Sequence, residues 1–97
     1  MLSRQLVIQT LVNHKEQLKR FAVSTLLLFG SVARDEAHPE SDVDLLVEFE
    51  KPVGLFTFIE LKEYLEEILH CPVDLGTPQS LRPALKDAVL EEAIRAF

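Results

Sequence analysis

The sequence predicts an α/β fold of the α+β kind, a small mixed three-stranded sheet flanked by helices, and three observations carry that prediction. Two short apolar runs, Thr25-Leu26-Leu27-Leu28-Phe29 and Leu45-Leu46-Val47-Glu48-Phe49, have the length of strands; a Gly-Ser turn closes the first and an Asp-x-Asp pair opens the second. Longer segments before, between and after the runs space their apolar residues at helical intervals. One such helix separates the second strand from the third, a crossover that makes those two parallel and right-handed.

From about Ser3 to Arg20, residues Val7, Ile8, Leu11, Val12, Leu18 and Phe21 fall on one helical face, and Ser3 suits its N-cap. Leu26 to Phe29 reads as a buried strand. Ser31 to about Glu36 forms a brief helix that His38-Pro39 ends. Val43 to Phe49 is the second strand, and Pro52 with Gly54 marks a turn. In the next helix Leu55, Phe58, Ile59, Leu61, Leu65, Ile68 and Leu69 share a face opposite a run of glutamates. Val73 to Leu75 is the third strand, and Gly76-Thr77-Pro78 leads into a last helix with Leu85, Val89, Ala93 and Phe97 inward. The 97 residues make one domain, an N-terminal helix over 1–21 on a core over 22–97, because a second core would have nothing to build it from.

A net charge of −6 argues against tight non-specific binding to nucleic acid, which needs clustered Lys and Arg. It suits a metal-dependent site, or a partner with a basic face. The one cysteine, Cys71, excludes an internal disulfide and fits a reducing compartment; its apolar setting makes it a small hydrophobe rather than a nucleophile. No apolar run approaches a membrane span, and the N-terminus lacks a signal-peptide core, so a soluble cytoplasmic protein is expected.

Strand alternation points Asp42 and Asp44 the same way while Val43 and Leu45 enter the core. If the first two strands are antiparallel, Gly30 and Ser31 at the end of one lie beside that pair, and Asp74 reaches the same sheet edge from the third strand. Two carboxylates about 5 Å apart repel by roughly 3 kcal/mol at an effective dielectric near 20. Three converging on one edge call for a cation. Oxygen-only ligation favours Mg²⁺ or Mn²⁺, shared with substrate phosphates.

Gly30 lets backbone approach an anion, and the Ser31 hydroxyl adds a donor; alone, Ser31 reads equally as the N-cap of the helix that follows. Arg34 has two open roles, a phosphate contact or a pair with Glu36 or Glu40. Ser41 likewise serves the turn or a phosphate. His14, His38 and His70 are scattered and form no zinc pattern.

Gly30-Ser31, ten further residues, Asp42-Val43-Asp44 and a later Val73-Asp74-Leu75 together resemble the polymerase-beta-type nucleotidyltransferase superfamily. The wording Gly-Ser-Val-Ala-Arg…Ser-Asp-Val-Asp-Leu is similar to its minimal nucleotidyltransferase (MNT) branch, over about residues 20–97. Members often have glycine after the Ala-Arg step, where this chain has Asp35. The resemblance implies that Asp42, Asp44 and Asp74 are catalytic and hold two Mg²⁺ ions, and that Asp74 helps deprotonate the attacking hydroxyl. Gly30 and Ser31, with Arg34 and Ser41 near them, would bind the phosphates of ATP.

MNT members are often antitoxins whose partner is a HEPN-type ribonuclease toxin, and some neutralise it by adding AMP to a tyrosine. The resemblance therefore implies a hetero-oligomer, with no direct nucleic-acid or membrane partner. The chain stops at Phe97 without the helical domain with which larger members grip a small acceptor, which favours a macromolecular one. An antitoxin acting by binding alone, or a small-molecule nucleotidyltransferase completed by a second subunit, are the alternatives.

Overall fold

A computed structural model describes residues 3–36 and 42–97. Helix α1 (Arg4–Asn13) starts where expected: the Ser3 hydroxyl accepts the Leu6 N–H at 3.1 Å. It does not run on to Arg20. The Thr10 hydroxyl donates to the Leu6 carbonyl at 2.8 Å, and a ring nitrogen of His14 meets the Thr10 carbonyl, also at 2.8 Å. The His14 backbone N–H still donates to the Thr10 carbonyl, at 3.2 Å, and the chain leaves helical geometry at His14 itself (φ −105, ψ 16). The helix closes there, and a short α2 (Lys15–Lys19) resumes after His14. Val7, Leu11 and Leu18 are fully buried, as their spacing requires.

Strand β1 (Val23–Phe29) pairs antiparallel with β2 (Val43–Phe49), and β2 pairs parallel with β3 (Val73–Gly76). Between β1 and β2 lies the four-residue α3 (Gly30–Ala33); between β2 and β3 runs the crossover helix α4 (Leu55–Leu69). Glu66 of α4 accepts the Val73 N–H at 3.0 Å, fixing the start of β3 against the helix. The sheet packs its buried leucines and valines against Val7, Leu11, Leu61 and Leu65.

Two expectations are corrected. The face of α4 toward the core runs through Phe58, Leu61, Leu65, Ile68 and Leu69, and Leu55 and Ile59 lie outside that stripe; Leu55 is 71% exposed. The final helix, α5 (Pro83–Glu92), stops early and leaves Leu85 exposed. Ala93 turns extended, and Ile94–Arg95 forms a fourth strand, β4, antiparallel to β1. The Ala96 N–H continues the ladder to the Leu26 carbonyl at 2.8 Å. The sheet is thus four-stranded, in the order β3-β2-β1-β4. The physical reason is the open edge of β1, whose unpaired backbone groups are satisfied better by a strand than by another helical turn.

Candidate active site

The register of the sheet assembles the acidic residues. Phe29 is opposite Asp44 across the antiparallel pair, and Asp44 is level with Asp74 across the parallel one. Asp42 stands just before β2, two residues from Asp44. Asp44 is half-buried, whereas Asp42 and Asp74 are exposed. The Asp44 carboxyl is held above the ordinary carboxylate range, chiefly by burial and then by the charges of Asp74 and Asp42, while Arg34 pulls the other way. Three of the sequence-derived candidates, Asp42, Asp74 and Arg34, therefore lie within electrostatic reach of the Asp44 carboxyl group.

Gly30 follows β1 directly, with φ +77, a left-handed conformation that glycine tolerates. The Asp44 side chain lies against its Cα. A Cβ at residue 30 would stand 3.0 Å from Asp44 Cγ and 3.3 Å from Asp44 Cβ, and would collide with Oδ2. This turn makes the helix begin one residue earlier than the sequence suggests. The cap position is Phe29, Ser31 lies inside α3, and the Ser31 hydroxyl has no hydrogen-bond partner among the described residues. The capping role weighed for Ser31 is thus not seen.

Arg34 binds carboxylates at this site. Its Nε donates to Glu36 and its Nη1 to Glu92 of α5, each at 3.3 Å. The Glu36 bond is the largest influence raising its pKa. Glu40 and Ser41, both weighed from the sequence, lie outside the described residues. Glu92 was missed by the sequence reading: it approaches Arg34 from 58 positions away, and no local pattern marks it. The Cys71 thiol is pushed up by burial and then by Asp42 and Glu66, which keeps it protonated and fits its reading as a small hydrophobe. A cavity of about 380 Å³, lined in part by Glu48, Lys51, Thr77 and Gln79, lies at the other end of β2, away from these carboxylates.

The donor chemistry suits a hard cation: three carboxylates, one of them strained by the other two. Among the described residues, however, no group of three or more acidic, histidine or cysteine side chains is placed to hold a metal ion.

The crowding yields a stability prediction. A carboxyl whose folded pKa lies above its unfolded value costs stability once it ionises, and the cost vanishes below the ordinary carboxylate range. Asp44→Asn should therefore raise Tm at neutral pH in chelator, by roughly 2–4 °C once solvent screening is allowed for. The gain should fade as pH falls toward about 4. An unchanged or lower Tm in chelator would refute the crowding.

The sequence pattern of the nucleotidyltransferase domain matches residues 11–96. The protein adenylyltransferase MntA of Thermococcus cleftensis is 43% identical over 95 residues, covering 97% of this chain and 96% of that protein. Among solved structures, a provisionally named minimal nucleotidyltransferase superposes with a TM-score of 0.83 at 35% identity, covering 97% of this chain and 96% of the other. A toxin–antitoxin structure with AMP-PNP gives a TM-score of 0.70 at 25% identity, covering 88% of this chain and 71% of that one. The matched region takes in all four strands and the turn that sets Gly30 against Asp44, so the chain belongs to the nucleotidyltransferase domain family and is a nucleotidyltransferase.

Proposed function

We propose that this chain is an antitoxin that transfers AMP from ATP to a tyrosine hydroxyl of a HEPN-type ribonuclease toxin. The observation that carries the reading is Asp44, packed on the Gly30 turn on one side and level with Asp74 on the other. Relatives named as protein adenylyltransferase and as a toxin–antitoxin pair bearing an ATP analogue support it.

In this reading the triphosphate lies along the Gly30–Ser31 turn, where backbone without a Cβ admits close approach and the Ser31 hydroxyl donates. Arg34, beside Asp44, exchanges its carboxylate partners for phosphate oxygens. Asp42, Asp44 and Asp74 would hold Mg²⁺ or Mn²⁺, which when bound supplies charge neutralisation at the entering and leaving oxygens. Asp74, exposed on an edge strand, takes the phenolic proton. The tyrosine oxygen forms its bond to the α-phosphorus in line as the α–β bridging P–O bond breaks, and pyrophosphate leaves with the electron pair.

Incubation with α-labelled ATP and Mg²⁺, with and without a HEPN-type toxin, tests the reading. Label on the toxin is the expected result. A stable unlabelled complex would replace it with neutralisation by binding alone, and label on a small hydroxyl acceptor would replace it with small-molecule transfer.

A further inference from the structure

Among the described residues, one residue of the N-terminal helix hydrogen-bonds to the segment that leaves the glycine turn. Arg4, the first residue of α1, donates its backbone N–H to Asp35 Oδ1 at 3.1 Å and its Nη1 to the Ala33 carbonyl at 3.2 Å. Both bonds engage groups that helix ends leave over, an N–H of the first turn of α1 and the last carbonyl of α3. Asp35 meets its half in a left-handed conformation, φ +59, which aspartate tolerates better than most residues. Ala33 and Asp35 flank Arg34, whose guanidinium acts on Asp44.

We propose that Arg4 and Asp35 are positioning residues for nucleotide, a clasp that fixes the backbone on both sides of Arg34 and so makes α1 part of the triphosphate site. The proposal rests on reading Gly30, Ser31 and Arg34 as the phosphate-binding group. At Asp35 the loop gives up glycine's free access to positive φ for an anchor to α1.

Two variants remove the clasp by different routes. Arg4→Pro deletes both donors at a first helical position, where proline fits, and Ser3 already has the extended conformation that precedes proline (φ −110, ψ 160). Asp35→Gly deletes the acceptor while easing the positive φ, so it cannot act by strain. Binding is read with Mg²⁺ and a fluorescent N-methylanthraniloyl ATP, alongside Tm and the steady-state constants for ATP. Both variants should weaken binding about three- to tenfold, the scale of one exposed hydrogen bond. KM should rise by the same factor with kcat unchanged, and Tm of Asp35→Gly should not fall. Asp35→Asn, which keeps the acceptor, should restore wild-type affinity. If the wild type binds nucleotide and Asp35→Gly binds it equally well, the clasp is overturned and the phosphate-turn reading stands. If the wild type binds none, the reading falls and takes the clasp with it.

Discussion

Asp44→Ala is expected to lower the proposed AMP transfer about 10²- to 10³-fold, the scale on which loss of one transition-state charge contact acts, while the variant still captures a HEPN-type toxin. The residue is central by geometry: it touches the Gly30 turn, faces Asp74 in register and feels Asp42 and Arg34. Loss of activity will not reflect unfolding, because removing Asp44 relieves repulsion. Asp42→Ala should behave alike, with the smaller structural change that its exposure implies. Transfer of labelled AMP and co-purification of the toxin, measured on the same preparations, separate chemistry from binding. Transfer retained by both variants would remove the catalytic assignment.

Gly30→Ala should be the most damaging single methyl in the chain. A non-glycine residue in the left-handed region costs roughly 1–2 kcal/mol, and forcing a Cβ into packed surroundings adds about 1–3 kcal/mol. Together these would lower Tm by roughly 10–25 °C for a domain of this size, and the displaced Asp44 would take transfer with it. The two penalties are separable. In the double variant Gly30→Ala/Asp44→Ala the clash with the carboxyl is gone and the φ penalty remains, so thermal melts should show a loss smaller than the sum by about 1–3 kcal/mol. Strict additivity would mean that Asp44 does not rest on Gly30 in solution.

Much of this was legible in the sequence, for a definable reason. Buried strands and the α4 crossover announce themselves by apolar run length and by helical spacing, and those patterns fixed β1, β2 and β3 and the parallel pairing of β2 with β3, while the antiparallel pairing of β1 with β2 stood only as a condition. The acidic edge then followed, since alternation and register leave Asp42, Asp44 and Asp74 nowhere else to go. What escaped were features decided by tertiary neighbours. Ile94–Arg95 joins the sheet because β1 offers an open edge, not because two residues carry a strand signal. The break at His14 is a departure from helical geometry at a single residue (φ −105, ψ 16), which no apolar spacing marks. Arg34 meets Glu92, and Arg4 meets Asp35, across sequence distances that no local window spans.

The pairing of Phe29 with Asp44 has one more consequence. A slip of β2 by a single residue would turn Val43, Leu45 and Val47 outward and drive Asp44 and Glu48 toward the hydrophobic interior. Chemistry and folding thus pass through the same checkpoint. A chain that misassembles there buries charge and exposes apolar side chains, so it loses the fold together with the site instead of persisting as a well-folded but inert copy.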